Sequence, residues 1–230
     1  MKANNIQIQC IIFLIILLPI IKPSHSSDPD PLQDFCIADL KSPPSINGYP
    51  CKPTVNVTSD DFFFDGLSKE GNTTNSPMKS FVTHGHVLAF PGLNTLGMSM
   101  NRLDIAVGGV THPHTHPRAT ECGVVVKGKM LVGLITSANN VVYSKNLSAG
   151  QVFVIPRGLV HFQMNVGRGN VLVFTAFNSH FPGTVQISKS LFASKPSGNN
   201  GVNVVPDEVL MKAFQVNKTV VDEIKSNLSK

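Results

Sequence analysis

An all-β domain, a barrel or sandwich closed by a short helical tail, is the fold class this sequence predicts, and three observations predict it. From about Leu88 the chain becomes a series of β-branched runs broken by Gly, Pro and Asn at intervals of roughly 8 to 12 residues. The stretch before it, residues 28–60, carries Pro29, Pro31, Pro43, Pro44, Pro50 and Pro53, which forbid regular helix and leave an irregular surface arm. Helical periodicity is confined to residues 201–230.

The elements follow in order. Met1-Lys2, an apolar run from Ile11 to Ile21 and the small-residue segment Ser24-His25-Ser26-Ser27 form a secretory signal peptide over residues 1–26. The run is shorter than the ~20 apolar residues of a membrane span, and no later segment is apolar enough to be one. Cleavage removes Lys2 and Lys22 and no acid, so the formal charge of +5 falls by two, too small and scattered an excess for nucleic acid. The remaining ~200 residues suit a single all-β domain.

Of the four Cys, Cys10 leaves with the leader, and an oxidising compartment makes Cys36 and Cys51 the natural disulfide. Cys122 is left over; its neighbours Gly123, Val124 and Val125 mark a buried thiol. Five sequons, at Asn56, Asn72, Asn146, Asn217 and Asn227, are glycosylation acceptors, whereas Pro77 disqualifies Asn75.

Residues 27–87 are therefore assigned to the disulfide-bearing arm, 88–200 to the barrel and 201–230 to the helices. Candidate strands are 96–103, 121–127, 129–136, 141–147, 151–155, 161–166 and 170–177, all pairing antiparallel. Pro206-Asp207-Glu208 opens one helix. Asn217 caps a second, whose Val220, Val221, Ile224 and Leu228 share a face that packs on the barrel or on a neighbouring subunit. Met98, Met100, Phe153, Phe162 and Met164 read as core, with a pocket-lining role as the alternative.

The chemistry lies in the histidines. His84-Gly85-His86 has no acid at useful spacing and reads as a surface strand feature. His112, His114 and His116 alternate, and alternate residues of a strand share a face, so two of these imidazoles can reach one ion. Glu121 is an odd number of residues beyond His116; the Pro117-Arg118-Ala119-Thr120 insert must bend the chain to bring its carboxylate onto that face. After the turn at Pro156 and Gly158, His161, Gln163 and Asn165 share a face, which supplies a further imidazole and two amides able to orient ligands. Three imidazoles and a carboxylate, without thiolate, suit manganese, iron or zinc, with coordination positions open for water or substrate.

Gly108, His114, His116, Glu121 and Gly128 resemble the first conserved box of the cupin superfamily, and Gly150, Pro156, His161 and Asn165 the second. The segment from Asp28 to Cys36 and the run Pro117-Arg118-Ala119-Thr120-Glu121 resemble the plant germin and germin-like proteins. The resemblance implies a cupin jelly-roll β-barrel and one Mn2+ per chain on His114, His116, Glu121 and His161, with His112 outside the ligand set. It also implies the Cys36–Cys51 bridge, and C-terminal helices that lock a homohexamer, a trimer of dimers, in the apoplast or cell wall. For activity it implies superoxide dismutation yielding hydrogen peroxide, in a cell-wall or defence setting. Oxalate oxidation is the alternative; oxalate oxidases of the family hold the dicarboxylate with two Asn, of which Asn101 matches the first, while Thr111 stands in place of the second. A non-enzymatic binding or receptor-like glycoprotein is the third reading.

Overall fold

The computed structural model describes residues 33–195 and 204–228, so the signal-peptide reading of residues 1–26 and the boundary between 200 and 201 lie outside the described residues. Ten strands build two antiparallel five-stranded sheets. They are β1 (Ser80–Gly85), β2 (Ser99–Ile105), β3 (His114–Thr115), β4 (Glu121–Lys127), β5 (Lys129–Ile135), β6 (Val142–Ser148), β7 (Val152–Ile155), β8 (Val160–Asn165), β9 (Val171–Phe177) and β10 (Val185–Gln186). One sheet has the order β1-β2-β9-β4-β7 and the other β10-β3-β8-β5-β6, the jelly-roll barrel of a cupin.

The core lies between the sheets and draws on both, with Leu103, Ile105, Val125, Val171 and Val173 meeting Met130, Val132 and Leu147. Strand alternation sends every second side chain inward. The inward faces are not uniform along their length. β2 runs from Ile105 and Leu103 to Asn101, β9 from Val171 and Val173 to Thr175, and β4 from Val125 to Glu121. Register aligns these changes, because Leu103 pairs with Val173 and Asn101 with Thr175, and Val125 pairs with Val173 and Gly123 with Thr175. One end of the barrel is therefore an apolar plug and the other a buried polar chamber.

Seven of the expected strands form, with ends shifted by up to three residues. β10 was not expected, and β1 and β3 were expected only as strand character around His84 and His114; β3 and β10 are two-residue pairings too short to carry a period. β1 pairs with β2 over its whole length, so the barrel sheet begins at Ser80, ahead of the boundary at 88 that composition suggested. The tail also differs from expectation. An unanticipated helix α1 (Ile187–Phe192) meets α2 (Asp207–Phe214) and α3 (Lys218–Leu228), and Phe192, Leu210 and Val221 bury one another in a separate small core. The stripe on α3 is thus satisfied by α1 and α2, which were not among the expected partners. The Asn217 cap forms as expected, its Oδ1 accepting the Val220 N–H at 3.1 Å.

The arm is stapled by the Cys36–Cys51 disulfide. Asn94 is fully buried and pins the same loop: its Oδ1 accepts the Tyr49 N–H at 3.0 Å and its Nδ2 donates to the Tyr49 carbonyl at 2.8 Å. The described residues from Phe35 onward group as one compact unit, arm and tail included.

Two expectations are corrected on the outer face. Cys122 is exposed, because Glu121 points inward and its neighbour must point out. It lies in an apolar row across four strands, Met100, Ala176, Cys122 and Val154, set by direct pairing. Met98, Met100 and Met164 are exposed side chains and are not among those lining the chamber's cavity. Of the two rings, Phe153 packs inward against the core opposite Gly123, while Phe162 covers Gly133.

Candidate metal centre

The polar chamber gathers His114, His116, Glu121 and His161, whose ligand atoms all lie within 4.8 Å of one another. His114 and His161 are direct cross-strand partners on β3 and β8, and their rings approach to 4.1 Å between centroids. His116 follows β3 immediately, before the chain turns at Pro117 and crosses to the other sheet, where Glu121 opens β4. Three donors therefore come from one sheet and the carboxylate from the facing one. Glu121 Oε2 stands 2.9 Å from His161 Nε2 and 3.2 Å from His116 Nε2. His112 is turned away, with its Nδ1 3.2 Å from the Ser188 hydroxyl.

The imidazoles are aimed by the backbone. His114 Nδ1 donates to the His112 carbonyl at 2.8 Å, His116 Nδ1 to the Gly183 carbonyl at 2.6 Å, and His161 Nδ1 to the Leu159 carbonyl at 2.9 Å. Each bond anchors Nδ1 and turns Nε2 toward the chamber, where a metal ion would replace the Nε2 proton that His116 and His161 otherwise donate to Glu121. Gly183 holds a left-handed φ of 70°, and a Cβ there would sit 2.6 Å from an Arg118 guanidinium nitrogen, so a side chain fits poorly at that carbonyl. Gln163 and Asn165, expected to orient ligands, do not. Gln163 Oε1 accepts the Thr111 hydroxyl at 2.6 Å, and Asn165 closes the following turn by bonding the Ile105 and Gly169 carbonyls and the Gly167 N–H. Backbone acceptors leave no mark in side-chain spacing, so sequence reasoning had no signal for them.

The electrostatics suit a cation. Burial, then the neighbouring His161 and His116, push the His114 imidazole down to about 4, leaving it neutral and able to coordinate near pH 7. Burial alone would raise the Glu121 carboxyl, but hydrogen bonds from His116 and His161 outweigh it and hold the group down at about 2. A buried carboxylate ringed by three directed nitrogen donors is the mixed shell that divalent manganese, iron or zinc accepts.

A pH dependence follows. His114 takes up protons near 6.5 when unfolded but only near 4 when folded. The unfolded chain therefore binds more protons between those values, and stability falls as pH drops through that window, by up to about 3 kcal/mol. Glu121 extends the loss further down, from 4.5 toward 2. The chelator-treated protein is expected to show a urea midpoint that is level above pH 6.5 and declines below it. A midpoint constant between pH 7 and 4.5 would contradict the assignment.

His114, His116 and Glu121 line a solvent-connected cavity of about 950 Å³, with His161 fully buried behind them. Asn101 and Thr111, the expected substrate contacts, both line it. Its remaining wall is neutral polar or apolar, apart from the imidazoles of His84 and His112 and the ammonium of Lys189, and Glu121 is its one acid among the described residues.

The cupin family model matches residues 65–222 of this chain. Germin-like protein subfamily T member 2 of Arabidopsis thaliana is 49% identical over 217 residues, covering 94% of each chain. The chain belongs to the germin-like proteins of the cupin family. A second relative of this germin-like chain, germin-like protein 1-1 of Oryza sativa subsp. japonica, is 53% identical, covering 92% of this chain and 93% of the relative. Among solved structures, oxalate oxidase in complex with the substrate analogue glycolate is 48% identical with a TM-score of 0.81, covering 88% of the germin-like chain and 98% of the oxidase.

Proposed function

We propose that this germin-like chain is an exported oxidoreductase that holds one manganese ion on His114, His116, Glu121 and His161 and converts superoxide to dioxygen and hydrogen peroxide. Bound there, the ion would supply one-electron exchange, so that one superoxide is oxidised to dioxygen and a second, with two protons, is reduced to peroxide. The chain's own residues supply the rest. The carbonyl-anchored imidazoles hold the coordination geometry, and a cavity with no free acid on its wall admits a small anion without charge repulsion.

The observation that carries this reading over its rival is the state of Thr111. Its hydroxyl is spent on Gln163 Oε1 and also accepts the Gln163 N–H at 2.9 Å, so Asn101 faces the cavity without an amide partner at position 111. Superoxide needs no second amide, whereas a dicarboxylate left with an unpaired oxygen in a dry site loses about 1 to 3 kcal/mol. Oxalate oxidation is the second reading, and the glycolate-bound oxidase at 48% identity supports it. A metal-loaded but inert apoplastic binding protein is the third.

Export to the apoplast is supported by the disulfide and by exposure of Asn56, Asn72, Asn146, Asn217 and Asn227, all open to glycosylation. Assembly into a homohexamer is supported by the uncovered apolar row around Cys122 and by Val209 and Phe214, exposed on α2. Among the described residues no helix is long and apolar enough to cross a membrane.

The test is metal content per chain of the secreted protein, with superoxide and oxalate turnover measured side by side. About one manganese per chain with superoxide consumption is expected. Peroxide from oxalate without superoxide turnover would reverse the ranking.

A further inference from the structure

We propose that His84 is a positioning residue that sets the orientation of the Asn101 amide, so that this amide donates to an anion in the cavity. The inference rests on the reading of the cavity as an anion site and assigns a role to the His84-Gly85-His86 segment.

Strands β1 and β2 set His84 directly opposite Asn101, and both side chains line the cavity wall. His84 Nδ1 lies 3.4 Å from Asn101 Oδ1. An amide oxygen only accepts, so the ring nitrogen must donate, and the bond occupies the oxygen end of Asn101. The Nδ2 end is left as the donor available to a bound anion. The distinction matters because the two ends of an amide are nearly the same size. Without a donor on β1, the flipped amide would present its oxygen to an anion and repel it. Asn101 is itself buried, whereas His84 reaches solvent.

His84 is itself held in place. Its ring stacks on His86 at 5.1 Å between centroids and 19° between planes. The far side of His86 meets the edge of Phe181 at 5.0 Å and 82°. Burial, and then the proximity of His84, keep His86 below the ordinary imidazole value, so a neutral ring backs His84 and no like charge pushes the stack apart. Phe181 is fixed by Arg118, whose Nε donates to the Phe181 carbonyl at 2.8 Å and whose guanidinium lies 5.3 Å from the ring centre. Arg118 sits in the loop that carries the chain from His116 to Glu121. The orientation of Asn101 is thus braced by the same loop that sets two of the metal donors.

The experiment is calorimetric titration of the manganese-loaded full-length protein with glycolate, with metal content checked in every variant. His84→Ala is expected to weaken glycolate binding about three- to tenfold, the loss of one net hydrogen bond, at unchanged metal content. His84→Asn should recover most of the affinity, because its amide N–H falls where Nδ1 stood. Asn101→Ala should weaken binding more, and the double variant should be no weaker than Asn101→Ala alone, since His84 acts through Asn101. Additive losses in the double variant, or full affinity in His84→Ala while Asn101→Ala is impaired, would overturn the positioning role and leave the anion site standing. A wild-type protein that fails to bind glycolate, or binds it no better than Asn101→Ala, would remove the anion-site reading and the positioning role with it.

Discussion

His161→Ala is expected to abolish both the bound metal and superoxide turnover while leaving a folded barrel. His161 is completely buried, its Nδ1 anchored on the Leu159 carbonyl and its Nε2 2.9 Å from Glu121. Loss of a group that merely orients a ligand costs about 10- to 100-fold in metal affinity, so loss of a donor should exceed that. The substitution also removes one of the two imidazoles that offset the buried Glu121 carboxylate, raising its cost in the metal-free chain. Elemental analysis should find less than about a tenth of the wild-type metal per chain, given that affinity loss. Far-ultraviolet circular dichroism should retain the β-barrel spectrum. Wild-type metal content in this variant would take His161 out of the site and the catalytic account with it.

Thr111→Asn is expected to turn the cavity toward oxalate. Thr111 and Asn101 lie on different segments of the cavity wall, the first ahead of β3 and the second on β2. An Asn at 111 can accept the Gln163 N–H through its oxygen and donate one amide proton to Gln163 Oε1, keeping both bonds of the native hydroxyl. Its second amide proton is then free for a substrate oxygen. Pairing an oxygen that is otherwise stranded recovers about 1 to 3 kcal/mol, so peroxide formation from oxalate should rise roughly 10- to 100-fold in kcat/KM. Superoxide turnover should change far less, because it does not draw on position 111. A rate with oxalate that is already high in the wild type and unmoved by the substitution would show that one amide suffices, and oxalate oxidase would become the better reading.

Rules local to the chain brought the candidate ligands forward, but the choice of His114 and His116 over His112 came only from the cupin resemblance. His114 and His116 are two apart on a strand, Pro117 breaks the alternation, and Glu121 re-enters on the facing sheet. His161 follows a turn and begins an alternating run, and the structure pairs it with His114. The disulfide was legible from cysteine count and compartment. Cys122 was misread because apolar neighbours say that a strand is covered on some face but not which face is inward. That was decided by Glu121, the residue beside it. The helix α1 escaped notice because six residues with no side-chain cap carry too little periodicity to stand out.

Sequence alone determined that one stretch would offer imidazoles at period two, that a second, about forty residues on, would add one more in an alternating run, and that a β-rich chain would carry them. Those are properties of strand geometry, which repeats every two residues whatever the surroundings. Only the tertiary structure decided what makes the donors a site: the Gly183 carbonyl behind His116, the Thr111 hydroxyl spent on Gln163, and the His84 ring against Asn101. Each joins groups distant in the chain through a backbone carbonyl or an adaptable polar side chain. Such contacts depend on where the barrel closes, and no residue type or spacing encodes them in advance.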